Sequence, residues 1–196
     1  MEAIVCGIDP GLGATGYAVV RMNGGRAAIL DAGVCRSQPA AGLAARLACV
    51  EHDINAVLTE HCPGVVAVEQ LYSHYNHPRT AILMGHVRGV VLLAAGRMGI
   101  DVRSYSATRI KRYLTGNGRA SKMQVQRAIQ LTLGLPKLPE PADVADALAI
   151  ALCCADETGK GTEARRHEGT KTTRTRHQDN WRLAIGNRPF RGAMRR

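Results

Sequence analysis

Ala3-Ile4-Val5-Cys6-Gly7-Ile8-Asp9-Pro10-Gly11 is the stretch from which the rest of the chain is read. Its apolar run ends in a carboxylate and a Pro-Gly turn, the pattern of a buried strand that delivers one charge to its tip. Outward from it, residues 14–21 and 26–35 read as two more strands. They are joined by Asn23-Gly24-Gly25, a hairpin signal. A helix is predicted over 41–61, where Leu43, Leu47, Val50, Ile54, Val57 and Leu58 recur at helical spacing, and Cys62-Pro63-Gly64 stops it. Residues 65–70 are another buried strand, followed by a polar loop over 73–79 and a long helix over 80–98. A strand over 101–105, a short helix over 107–114 and the loop Thr115-Gly116-Asn117-Gly118 come next. Ser121 then caps a helix over 122–133, and a rigid link over 136–141 leads to a last helix near Pro141. Three antiparallel strands leading into strand–helix alternation predict an α/β fold, a mixed sheet with helices on both faces.

The 196 residues have room for one ordinary domain and a tail, and 45% hydrophobic content supports a full, mostly aliphatic core. Residues 1–157 are expected to form the domain. Residues 158–196, rich in Gly, Thr and Arg and without periodicity, are expected to be a basic, disordered tail. The net charge is +10; residues 156–196 hold 11 Lys/Arg against 5 Asp/Glu, which leaves +4 for the rest. That balance favours an anionic partner without identifying it. No run approaches about 18 consecutive apolar residues, so no membrane span is expected. The N-terminus lacks the basic start and cleavage site of a signal peptide. Six cysteines without zinc-type or disulfide-type spacing read as reduced core residues, which points to the cytoplasm.

The chemistry is carried by carboxylates. Asp9 and Glu69 each end a buried strand, where a charge is costly unless it is paired or bound to metal. In Pro141-Ala142-Asp143-Val144-Ala145-Asp146-Ala147-Leu148-Ala149-Ile150-Ala151-Leu152, two aspartates share one face of an otherwise apolar helix. Asp143 suits the positive end of the helix dipole, but Asp146 lies a turn inward and needs a partner. Four carboxylates without a basic residue in their motifs suit Mg²⁺ or Mn²⁺. Two such ions about 4 Å apart clamp an in-line phosphoryl displacement.

Gly7-Ile8-Asp9-Pro10-Gly11, Thr15-Gly16-Tyr17, Val68-Glu69-Gln70 and Ala142-Asp143-Val144-Ala145-Asp146-Ala147-Leu148-Ala149-Ile150-Ala151 resemble the RuvC family of Holliday-junction resolvases. Gly85-His86-Val87-Arg88-Gly89 and Ser121-Lys122-Met123-Gln124-Val125-Gln126 match it too, over about residues 3–155. The resemblance implies an RNase H-like fold and a homodimer that makes paired symmetric nicks in four-way junction DNA, in recombination and repair. It also implies two Mg²⁺ ions, with Mn²⁺ able to substitute, held by Asp9, Glu69, Asp143 and Asp146. It places Tyr72, where the family usually has phenylalanine, against junction bases, and Lys111 and Lys122 against the DNA backbone. It further implies a branch-migration helicase complex of RuvA and RuvB type as a partner.

Three other readings compete. An actin-like sugar kinase also opens with a strand-end aspartate and a glycine-rich turn, but such enzymes usually need a much longer, duplicated chain. A related nuclease acting on RNA or unbranched DNA would share the metal motifs, and a non-catalytic binder would share the fold.

Overall fold

The computed structural model describes residues 3–71 and 78–167. Five strands form one sheet in the order β3-β2-β1-β4-β5: β1 (Ala3–Asp9), β2 (Ala14–Asn23), β3 (Arg26–Arg36), β4 (Val65–Glu69) and β5 (Asp101–Tyr105). The β1–β2 and β2–β3 pairs are antiparallel, while β1–β4 and β4–β5 are parallel, as predicted. Burial sorts the strands by position. β1 and β4, in the middle, are covered on both faces and read as unbroken apolar runs, whereas the edge strands β3 and β5 are only half-buried. Gly24 and Gly25 turn the β2–β3 hairpin with φ of 55° and 81°, a backbone that only glycine adopts without strain.

Alternation along the strands divides the core in two. Val5, Ala18, Val20, Val65, Ala67 and Tyr105 face one side and pack against α3 (Ala107–Thr115), α4 (Lys122–Leu133) and α5 (Ala142–His167). Cys6, Ile8, Val19, Val66 and Val68 face the other side and meet α1 (Leu43–His61) and α2 (Pro78–Arg97). The helix ends depart slightly from prediction. α1 begins at Leu43, with Gly42 at its N-cap, and ends at Cys62 (φ 45°), whose N–H donates to the Leu58 carbonyl, so the left-handed residue is the cysteine rather than Gly64. The predicted Ser121 cap is a full capping box. Gln124 N–H donates to Ser121 Oγ at 3.3 Å, and Ser121 N–H donates to Gln124 Oε1 at 2.8 Å. α5 continues to His167, so the boundary expected at residue 157 falls inside a helix.

α2 is long and apolar enough to cross a membrane by length and composition. It nevertheless buries Val87, Val91, Ala94 and Ala95 against α1 and the sheet, and Arg88 donates to Ser104 Oγ of β5 at 2.8 Å. Its outward side is bare: Ile82 is 60% exposed and Leu93 52%. Among the cysteines, all of them free, Cys6, Cys35, Cys153 and Cys154 are buried as expected, while Cys62 is exposed.

Candidate active site

Two glycines determine how near α5 comes to the sheet. A Cβ placed on Gly7 of β1 would lie 2.4 Å from the Ala147 carbonyl oxygen and 2.5 Å from Ala151 N. One placed on Gly16 of β2 would lie 2.1 Å from the Asp143 carbonyl oxygen. Both distances are far inside van der Waals contact, so α5 lies backbone-to-backbone on the two strands. Gly16 pairs with Asp9 across the sheet, so the helix turn that carries Asp143 sits over β2, next to the end of β1.

Period-two alternation supplies the other half of the arrangement. Asp9 continues the row of Val5 and Gly7, and Glu69 continues the row of Val65 and Ala67 on the adjacent parallel strand. Both carboxylates therefore face α5. Their protonation reflects the company. Burial first, then the charges of Asp146, Glu69 and Asp143, push Asp9 up to about 7 from a usual 3.8. Glu69 is also raised, by burial and then by Asp146, with Lys111 and Lys122 opposing. All four acids named from sequence thus converge on one region, drawn from β1, β4 and α5.

Lys122 is where the structure departs from the sequence reading. The sequence places Asp146 a turn inward on an apolar helix, in need of a partner that its own motif does not supply. Its side chain is 36% exposed, and Lys122 Nζ, from the first residue of α4, donates to its Oδ2 at 3.2 Å. The lysine is held above its usual pKa by Asp146 first, with Asp9 and Asp143 adding to it. Lys111 of α3 lies nearby: Glu69, Asp146, Lys111 and Lys122 line a cleft of about 220 Å³ floored by Ile110, Val125 and Ile150. The cleft wall is fastened from behind. Tyr105 donates to Glu157 Oε2 at 3.0 Å, and Arg109 of α3 pairs with the same carboxylate, joining β5, α3 and α5. Tyr72 lies outside the described residues.

Sequence reasoning missed the support beneath Asp9. The turn that follows it has three consecutive carbonyls satisfied: Gly11 by Thr15 Oγ1 at 2.7 Å, Leu12 by Ser37 Oγ, and Gly13 by Ser37 N–H at 3.4 Å. Arg46 of α1 adds a fork, donating from Nε to Ser37 Oγ at 2.9 Å and from its terminal nitrogen to the Leu12 carbonyl at 3.1 Å. Thr15 belongs to a motif already singled out, but nothing in the spacing of Ser37 or Arg46 announces them.

The donor set suits a hard divalent cation, since it is made of carboxylate oxygens held close enough to disfavour one another's charge. Among the described residues, no three acidic, histidine or cysteine side chains close into one ligand shell as they stand.

Comparison with known proteins decides the family. The model for crossover junction endodeoxyribonuclease RuvC matches residues 5–154. This chain belongs to the RuvC family. The crossover junction endodeoxyribonuclease RuvC of Rhodopirellula baltica is 50% identical over 149 residues, covering 76% of this chain and 84% of the relative. That of Heliobacterium modesticaldum is 40% identical over 162 residues, 83% of this chain and 99% of the relative. Thermus thermophilus RuvC in complex with Holliday junction substrate superposes with a TM-score of 0.75 at 34% identity, covering 82% of this chain and 97% of that one. The RNase H-like sheet, with helices on both sides, is therefore the RuvC fold. RuvC proteins are metal-dependent nucleases, and the four carboxylates lie within the matched region.

Proposed function

We propose that this chain resolves four-way DNA junctions by paired, symmetric nicks in recombination and repair, working as a homodimer with two Mg²⁺ ions per active site. The observation that carries the reading is the meeting of Asp9 on β1, Glu69 on β4 and Asp143 and Asp146 on α5, where burial first and then the neighbouring acids push Asp9 up to about 7. These residues would hold the ions, and Mn²⁺ would substitute because it accepts the same oxygen donors. Bound there, the metal supplies an activated water and stabilises the leaving oxygen. The chain's own residues bind and orient. Lys111 and Lys122, flanking the acids across the cleft, fit backbone phosphates and set the strand's position without reading its sequence. By family likeness, Tyr72 would stack on a junction base.

A second copy fits the bare side of α2. Ile82, Gly85, His86, Gly89, Val90 and Leu93 line a shallow apolar groove there, and the two glycines let another helix approach closely. A RuvA and RuvB type helicase partner and a cytoplasmic location complete the reading. The first rests on family likeness, the second on six cysteines that all remain free.

A synthetic four-way junction and a linear duplex of the same sequence, each incubated with Mg²⁺, test the proposal. Paired cuts in the junction, with the duplex spared, are expected. Equal cutting of both would favour a general nuclease, and binding of the junction without cutting would favour an inert binder.

A further inference from the structure

Lys122 makes a contact that the nuclease reading does not use. Its Nζ donates to Asp146 Oδ2 at 3.2 Å, and its charge also reaches Asp9, Asp143 and Glu69. The two ends of this side chain differ in freedom. The backbone is fixed, because Lys122 is the first residue of α4 and sits inside the Ser121/Gln124 capping box. The side chain is 75% exposed and leaves its contact at little cost. Asp146, about a third exposed and on the rigid α5, has one ammonium on one carboxylate oxygen. An ammonium and a divalent ion seek the same oxygens, and the net negative charge of the acids favours whichever cation is present.

We propose that Lys122 is the resident counter-cation of the acid cluster, and that a divalent ion displaces it from Asp146. The freed ammonium then lies at the mouth of the cleft, beside Lys111, where a DNA phosphate is its natural partner. Metal loading and gripping of the backbone become one exchange, in which a cation leaves a carboxylate and takes up a phosphate. This inference rests on the carboxylates being the metal site. It adds that one of the lysines competes for that site until the metal arrives.

Mn²⁺ binding to the full-length protein without DNA, measured by calorimetry, tests it through three variants. Asp146→Asn should weaken Mn²⁺ binding. Lys122→Gln should tighten it about threefold, the range of an exposed ion pair. Lys111→Gln, which removes an equal charge that does not touch Asp146, should tighten it less. Amine acetylation followed residue by residue gives a second reading, in which Lys122 reacts faster once Mn²⁺ is added. Unchanged Mn²⁺ affinity in Asp146→Asn overturns the metal site and the exchange together. Weakened binding in Asp146→Asn, with no tightening in Lys122→Gln, overturns the exchange alone. So does equal tightening in Lys111→Gln, or acetylation of Lys122 that is indifferent to Mn²⁺.

Discussion

The two faces of the sheet are packed by opposite means. On the α1/α2 face the contact is made by branched side chains, Ile8, Val19, Val66 and Val68 against Val50, Ile54, Leu58, Val87 and Val91. On the other face, α5 meets β1 and β2 through Gly7 and Gly16 with no side chain between backbones. The difference has a chemical consequence. A side-chain-filled interface tolerates small shifts, because many weak contacts share them. A backbone-on-backbone interface does not, and this is the interface that carries Asp143 and Asp146 to Asp9. The carboxylates need a fixed separation, and the close seat provides it.

The sharpest separation of the faces is Asp146→Asn on α5. Removal of one ligating charge should lower junction cleavage by more than about 10²-fold, the upper loss typical of a residue that merely supports a metal ligand. Junction affinity and thermal stability should stay near wild type, as followed by gel shift and calorimetry. Normal cleavage would remove Asp146 from the site and leave the close seat without a chemical purpose.

Next come paired substitutions, one on each face. Ile54→Ala empties volume in the α1 side of the core, where Ile54 is fully buried, and should cost about 2–5 kcal/mol. Cleavage per folded molecule should be unchanged. Gly16→Ala forces a methyl against the Asp143 carbonyl and should cost about 3 kcal/mol from overpacking. It should also lower cleavage per folded molecule, since the turn bearing Asp143 must move. Denaturant titration combined with single-turnover cleavage separates the two quantities. If both variants lose only stability, the seat does not position the acids.

Much of this division was legible in the sequence. The apolar runs of β1 and β4, each ending in an acid, gave the strands and their chemistry together, and period two then places Asp9 and Glu69 on one face. The pair Asp143 and Asp146 was visible because an apolar helix has no packing use for two charges. Asp101–Tyr105 was bounded correctly because turn residues flank it. What escaped is what depends on chain crossings. Lys122 and Asp146 meet only because α4 and α5 pack side by side, and the bond from Arg46 to the Leu12 carbonyl spans α1 and the turn after β1. Gly16 stood in a recognised motif, yet its reason is a helix from the far end of the chain pressing on it. Local pattern reports which residues are unusual. It does not report which distant group makes them so.

The outer side of the α1/α2 face gives a smaller effect. Ile82→Glu places a charge on the exposed apolar row of α2 and should weaken self-association about tenfold, read by sedimentation. Monomer stability should barely change, because Ile82 is already exposed. An unaltered association constant would mean that the copies meet elsewhere, and that the tolerance of this face has no bearing on assembly.

The last comparison concerns the burial and crowding of Asp9 at the foot of α5. Without metal, the Asp9 carboxyl titrates near 7 in the folded protein against a usual 3.8, so the folded state holds its proton more tightly than the unfolded chain does. The stability this group contributes is complete below about pH 4 and is lost as pH rises toward about 7. Asp9→Asn cannot ionise. In chelator it should therefore match the wild-type Tm near pH 4 and exceed it at pH 8, by roughly 10 °C for a domain of this size. Added Mg²⁺ should narrow the gap at pH 8, since a divalent ion supplies the positive charge that the ionised cluster lacks. A wild-type Tm that runs parallel to Asp9→Asn across this range would show that Asp9 is neither buried nor crowded by the other acids, and the close seat on α5 would then have brought together helix and strand but not their charges.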